Sequence, residues 1–163
     1  ARTELLRENV PVSSNVKVGI MVEVPSIALM ADLAAQEADF ASIGTNDLTQ
    51  YITAADRGNP SVAPYYQLYH PAQFRLIRSV VSAFAAEGKP VGVCGELGGD
   101  PLAAAVLMGL GIRQLSMGAC AVPRIKQRIC TLPMAQAEEL ARQVCTLSTG
   151  AEVKQYLEKQ LSH

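Results

Sequence analysis

The chain is predicted to be an α/β protein in which short parallel strands alternate with helices. Three observations predict this. Apolar runs of strand length recur at Val18–Val22, Phe40–Ile43 and Val91–Val93. Longer stretches rich in alanine and leucine, with helical spacing of their apolar residues, separate those runs. Each run also ends in polar groups: Glu23 after the first, Asn46-Asp47 after the second, and Cys94 with Glu96 after the third. Strands joined through helices imply right-handed crossovers and a parallel sheet. The carboxyl ends of such strands form one rim, which is where ligands of these folds bind.

The elements follow in order. Arg2–Glu8 reads as the last turns of a helix without a cap or an initiator methionine, so the chain is expected to be cut from something larger. Val18–Val22 is a buried strand. Pro25 suits the first turn of a helix running to Gln36, with Ile27, Leu29, Met30 and Leu33 as its apolar face. Phe40–Ile43 is the second strand, and Asn46–Ala54 a short helix after a glycine turn. Asp56-Arg57-Gly58-Asn59-Pro60 is a turn cluster, and Ser61–Pro71 an irregular stretch rich in tyrosine and proline. A helix over Ala72–Glu87 is closed by Gly88 at C′ and Pro90 beyond. Val91–Val93 is the third strand. Gly98-Gly99-Asp100 supplies a turn and a cap for a helix over Pro101–Met108, and Gln114–Met117 is a fourth strand. Helices over Pro123–Cys130, Met134–Cys145 and Thr149–Leu161 complete the chain.

The 163 residues have the length of one domain or a part of one. With 49% apolar and 18% charged residues the chain is globular rather than disordered. A formal net charge of −1 removes the electrostatic case for nucleic acid. No apolar run approaches the ~20 residues of a membrane helix, and Ala1-Arg2-Thr3-Glu4 lacks a signal-peptide core, so no membrane insertion is expected. The four cysteines, Cys94, Cys120, Cys130 and Cys145, lack CxxC or CxxH spacing, which argues against zinc. Their thiols are expected to be reduced in a cytosol, with the last three as packing residues.

Glu23 closes an apolar strand, where a carboxylate needs either a cationic partner or a wet rim. Asp47 follows a glycine turn that opens backbone N–H groups toward an anion. Asn46-Asp47 before a helix also fits a simple N-cap, but a second carboxylate at the preceding strand end favours Asp47 as a ligand. Two carboxylates with open positions are what Mg²⁺ uses. Arg57, on a rigid turn, matches phosphate or carboxylate. Cys94, at a strand exit, is placed as a nucleophile or as a thiol proton donor, and without an activating histidine the acid role fits better. His70 reads as a packing or surface residue, and His163 as a disordered terminus.

Gly19-Ile20-Met21-Val22-Glu23-Val24-Pro25, Ser42-Ile43-Gly44-Thr45-Asn46-Asp47-Leu48-Thr49-Gln50-Tyr51, Asp56-Arg57-Gly58-Asn59 and Gly92-Val93-Cys94-Gly95-Glu96-Leu97 occur in one order. Together they resemble the C-terminal domain of enzyme I of the bacterial phosphotransferase system, the phosphoenolpyruvate–protein phosphotransferases. The likeness runs from Val16 to Arg128. Pyruvate phosphate dikinase and phosphoenolpyruvate synthase share the Asn-Asp and Cys-Gly-Glu elements, while the Asp-Arg-Gly-Asn turn favours enzyme I or a homologue with an enzyme I-like module.

The resemblance implies a (β/α)₈ barrel binding phosphoenolpyruvate at its C-terminal face. It implies Mg²⁺ on Glu23 and Asp47, substrate contacts from Asn46, Asp47 and Arg57, and protonation of the pyruvate enolate by Cys94. A whole barrel needs eight strands and ~250 residues, so residues 1–163 are expected to be a partial domain with strands five to eight and extra C-terminal helices. The family's early-strand arginines are absent, as is its separate domain with the phosphoacceptor histidine that docks the histidine-containing phosphocarrier protein. Neither His70 nor His163 matches that histidine. The parent is expected to be a cytoplasmic enzyme of sugar transport, and this piece alone to lack turnover. Two open sheet edges predict a homodimer, either closing a barrel from two halves or held by the parent's own dimer surface. Two other readings stay open: an aldolase- or lyase-like barrel acting on 2-oxo acids through a Mg²⁺-enolate, and a non-catalytic regulatory or assembly module.

Overall fold

Among the described residues four short strands form the sheet: β1 (Gly19–Val22), β2 (Phe40–Gly44), β3 (Val91–Cys94) and β4 (Gln114–Leu115). The computed structural model describes residues 1–161, so His163 lies outside the described residues. All pairings are parallel, in the order β1-β2-β3-β4. Spatial order follows chain order without reversal, so the crossovers all advance one way and helices collect on one face. That is the arrangement of half a (β/α)₈ barrel rather than a doubly wound sheet, in agreement with the expected fold.

The helices are α1 (Arg2–Arg7), α2 (Pro25–Leu29), α3 (Ala31–Glu37), α4 (Thr45–Thr53), α5 (Pro71–Ala86), α6 (Pro101–Gly109), α7 (Val122–Thr131), α8 (Met134–Val144) and α9 (Gly150–Leu161). Strand side chains alternate between faces. Val22, Ala41, Ile43, Val91 and Val93 point to the helices and are buried in a core with Phe74, Ile77 and Phe84 of α5 and Val106 and Leu107 of α6. Met21, Phe40, Ser42, Cys94 and Gln114 alternate with them and occupy the opposite, concave face. There Met21, Phe40 and Gln114 are exposed, while Ser42 and Cys94 are half-buried. The helix face is thus the apolar one, and the concave face is free to carry chemistry.

Several boundaries differ from expectation. The helix after β1 is broken at Met30, which leaves the helical basin (φ −102°, ψ 26°). No glycine or proline marks that break in the sequence. β4 ends at Leu115, although Ser116 still donates its N–H to the Val93 carbonyl at 2.9 Å. The stretch expected to be irregular contains a 3₁₀ segment, Pro60–Tyr65. It is started by Asn59, whose side chain accepts from the Ser61 N–H, and by Pro60, whose missing donor is harmless there.

The predicted stops hold. Gly88 adopts φ +66° just beyond α5, and Lys89 N–H returns to the Phe84 carbonyl. Asp100 caps α6 by accepting from Leu102 and Ala103 N–H, both at 2.9 Å. His70 caps α5 through Nδ1, which accepts from Ala72 N–H at 3.2 Å. Among the cysteines, Cys145 is a buried packing residue as expected. Cys120 and Cys130 are exposed, because helix-flanking placement does not decide which side faces the core.

Tyr69 ties this framework to pH. Partial burial, and secondarily its hydroxyl's bond to Asp100, hold its ionisation far above the ordinary tyrosine value of 10.0. A group whose folded-state pKa is raised contributes stability below its unfolded pKa and loses it as pH rises. We expect the Tm to fall as pH is raised through about 10, and Tyr69→Phe to reduce that fall. Burial also raises Tyr66 and Tyr156, so part of the slope remains. Thermal melts at pH 8 to 11 read the difference.

Candidate functional site

Glu23 follows β1 on the concave side, two residues after Met21. It is half-buried and makes no hydrogen bond or ion pair among the described residues. The salt bridge that would explain it structurally is not formed. What accommodates it is Gly44. A Cβ added there would lie 2.8 Å from Glu23 Oε2, 3.0 Å from Glu23 Cβ and 3.3 Å from Met21 Sδ. Gly44 has φ −79°, an ordinary value. Its role in the glycine turn is therefore spatial: it leaves the volume that the Glu23 side chain fills.

Gly44 pairs in register with Cys94 on the next strand. The Cys94 sulfur lies 3.6 Å from Met21 Sδ, 3.4 Å from Ser42 Oγ and 3.5 Å from the Ile43 carbonyl. Met21 thus borders both the glutamate's pocket and the thiol, which puts Cys94 and Glu23 on one face of the sheet.

α4 is stitched to the end of β3. Thr45 Oγ donates to the Cys94 carbonyl at 3.0 Å, and Asn46 Oδ1 accepts from Glu96 N–H at 3.0 Å. Gly95 makes the approach possible. It sits at φ +107°, and a Cβ there would come within 2.5 Å of Thr45 Oγ and 2.8 Å of Asn46 Oδ1. Both strain and contact therefore require glycine. Gly44, not Asn46, occupies the cap position of α4, so the simple N-cap reading of Asn46-Asp47 does not hold. Both residues lie in the first turn, where unsatisfied N–H groups favour anions.

Arg57 reaches back to this turn. Its Nη2 lies 3.4 Å from Asp47 Oδ1, and its N–H donates to Gln50 Oε1 at 3.1 Å. Asp56 Oδ1 accepts from Gly58 N–H at 2.8 Å and holds the bend. The ion pair is largely exposed, so its own contribution to stability is small. Tyr66 bridges the two segments, its hydroxyl donating to the Asn46 carbonyl at 3.1 Å. Its ionisation is raised, first by desolvation and then by Glu96, with Arg57 opposing and Asp47 adding to the rise.

The five site residues expected from the sequence therefore fall into two sets. Glu23 and Cys94 share the strand face, while Asn46, Asp47 and Arg57 gather around the start of α4, where the Glu96 N–H joins them. Sequence reasoning missed Ser42, Thr45 and Tyr66. Ser42 was recoverable from period two counted back from Gly44, whereas Tyr66 had no local signal. A cleft of ≈ 400 Å³ lined by Asn46, Gly95, Glu96, Gly99, Ser116 and Met117 opens beside this region. A larger cavity of ≈ 650 Å³ lies between Tyr66–His70 and the start of α9 and includes none of Glu23, Asp47 and Cys94.

Glu23 and Asp47 each offer the oxygen donors that a hard divalent cation takes. Glu23 has both oxygens free of partners among the described residues, and Asp47 commits one oxygen to Arg57. Two carboxylates with positions left for water and substrate oxygens suit Mg²⁺. Among the described residues no three His, Cys, Asp or Glu side chains cluster as an all-protein metal cage. No helix among them is long and apolar enough to cross a membrane.

The chain is similar to proteins named phosphoenolpyruvate-protein phosphotransferase. It is 45% identical over 158 residues to that of Geobacillus stearothermophilus, covering 97% of this chain and 27% of the relative. It is likewise 45% identical over 158 residues to that of Haemophilus influenzae and 43% identical over 158 residues to that of Bacillus subtilis, covering 97% of this chain and 28% of each relative. The chain thus spans about a quarter of the length of these enzymes. The family model described as PEP-utilising enzyme, PEP-binding domain matches residues 1–134. On that match the chain belongs to the PEP-binding domain family of the PEP-utilising enzymes.

Proposed function

We propose that residues 1–163 supply strands five to eight of a phosphoenolpyruvate-binding barrel within a longer phosphoenolpyruvate–protein phosphotransferase. The observation that carries this reading is the Glu23 carboxylate, without a partner among the described residues, seated over Gly44 and one strand from a Cys94 sulfur on the same face. Glu23 and Asp47 are the proposed Mg²⁺ ligands. Asn46 and Asp47 contact the substrate, and Arg57 exchanges its contact with Asp47 for the phosphate.

The phosphoryl group leaves for a histidine on a separate domain of the longer protein, itself partnered by a histidine-containing phosphocarrier. Cys94 then gives its proton to the methylene carbon of the resulting enolate, and pyruvate departs. Bound Mg²⁺ supplies charge neutralisation at the phosphate and enolate oxygens. An aldolase-like reading leaves Cys94 without a task, and a purely structural module leaves Glu23 without a reason to sit there. Turnover is assigned to the complete protein in a cytoplasmic sugar phosphotransferase system, not to this piece alone. β1 and β4 each have one edge unpaired among the described residues, and a second copy of the protein is the proposed assembly partner.

The test is deuterium exchange into the methyl group of pyruvate, catalysed by the full-length protein with Mg²⁺. Exchange is expected to require Mg²⁺, and Glu23→Gln to raise the Mg²⁺ concentration for half-maximal exchange at least ~10-fold by removing one charged ligand. Exchange that is indifferent to both Mg²⁺ and Glu23→Gln would overturn the reading.

A further inference from the structure

We infer that Gln73 is a positioning residue for the substrate-contacting turn of α4, an inference that rests on the ligand roles proposed for Asn46 and Asp47. Gln73 lies in the first turn of α5 and is fully buried. Ile77, Val80 and Phe84, which share its face of the helix, are buried and apolar. An apolar residue at this position would serve the core as well. The Gln73 side chain instead meets the Thr49 hydroxyl of α4 through Oε1, and its Nε2 is buried without a hydrogen-bond partner among the described residues. A buried amide that is only half satisfied costs stability, so its presence calls for a reason other than the core.

The reason lies in what Thr49 touches next. Its hydroxyl has one proton, and the Thr45 carbonyl takes it at 2.7 Å. An amide oxygen turned toward Thr49 therefore faces a hydroxyl with no proton left to give, whereas the amide nitrogen turned the same way donates to it. The chain then runs from Gln73 Nε2 to Thr49 Oγ and on to the Thr45 carbonyl. What stays unpaired is a carbonyl oxygen, which costs less than an unpaired N–H. Thr45 and Asn46 share one peptide unit, so hydrogen bonds accepted by the Thr45 carbonyl polarise the Asn46 N–H at its other end. That N–H is one of the first-turn donors that a helix leaves unpaired. Thr45 Oγ ties the same turn to the Cys94 carbonyl at 3.0 Å, and Tyr66 ties it through the Asn46 carbonyl at 3.1 Å. Gln73 adds the tie to α5. It fixes where the turn sits on that helix and so aims Asn46 and Asp47.

The experiment follows pyruvate release from phosphoenolpyruvate by the full-length protein, with a histidine-containing phosphocarrier protein as acceptor. The variants are Gln73→Met, Thr49→Val, the two combined, and Asn46→Ala. Methionine keeps the length of the side chain without the amide, so the Tm of Gln73→Met is expected at or above that of the parent. Its KM for phosphoenolpyruvate is expected to rise about fivefold, the factor that one ordinary hydrogen bond supplies, with kcat within about twofold. Thr49→Val is expected to raise KM by a similar factor and to lower the Tm, because it leaves the Gln73 amide without its partner. Adding Gln73→Met to it should restore the Tm and hold KM within about twofold of Thr49→Val alone, since both substitutions cut one chain. An unchanged KM in Gln73→Met, or a combined KM equal to the product of the single effects, overturns the inference. A lowered Tm in Gln73→Met also overturns it, because loosened packing would then account for the rise in KM. Asn46→Ala separates the two levels. If it leaves the KM for phosphoenolpyruvate unchanged, the ligand role of Asn46 fails and the inference falls with it. If it raises KM while Gln73→Met does not, the inference about Gln73 alone is overturned.

Discussion

Gly109→Ala is expected to destabilise the protein by about 3 kcal/mol or more. A Cβ at the last residue of α6 would fall on the carbonyl group of Ala137 and come within 2.9 Å of the Glu138 N–H nitrogen, both in α8. These are backbone atoms in a helix, so no side chain can rotate away, and α6 and α8 would have to separate. Ala137, Leu140, Ala141 and Val144 of α8 are buried, so separation opens the core. Gly88→Ala is the control. Gly88 has φ +66° with nothing within 4 Å of a Cβ, so only the backbone strain of about 1–2 kcal/mol applies. Thermal melts should show Gly109→Ala losing roughly 10 °C in Tm and Gly88→Ala about half that or less. Equal losses would mean that α6 and α8 are not in backbone contact.

The second large effect is on chemistry. Cys94→Ala should lower deuterium exchange into pyruvate by about 10²–10⁴-fold, the usual contribution of a positioned general acid. Affinity for Mg²⁺ should change little, because the thiol contacts Met21, Ser42 and the Ile43 carbonyl and neither acidic residue. Cys94→Ser is the sharper variant. It puts a hydroxyl, a far weaker acid, where the thiol was, so exchange should fall nearly as far as with alanine. Exchange and calorimetric Mg²⁺ titration on the same preparations separate the two quantities. Mg²⁺ binding lost together with exchange would mean that Cys94 supports the fold of the rim instead.

The parallel strands, their helices and the capping signals were legible because they rest on local physics. β-branched runs, the cap at Asp100 and the left-handed Gly88 each depend on residues close in sequence. The break at Met30 and the early end of β4 were not legible, since no residue there disfavours continuation. At the site, the polar ends of the strands identified Glu23, Asp47 and Cys94 individually. Which face each occupies needed the register that sets Gly44 against Cys94. The space Gly44 leaves for Glu23 depends on two strands meeting, so the glycine read as a turn signal. Tyr66 meets the start of α4 through a single contact 20 residues away, and no spacing rule reports it.

The proposed meeting of Glu23, Asp47 and Cys94 around one substrate is tested most directly by a crystal structure of the full-length protein with Mg²⁺ and phosphoenolpyruvate. The expected result is one cation held by Glu23 and Asp47, the phosphate against Arg57 and Asn46, and the Cys94 sulfur facing the methylene carbon. A substrate bound with its methylene carbon turned away from Cys94, or a cation ligated by neither Glu23 nor Asp47, would contradict the account.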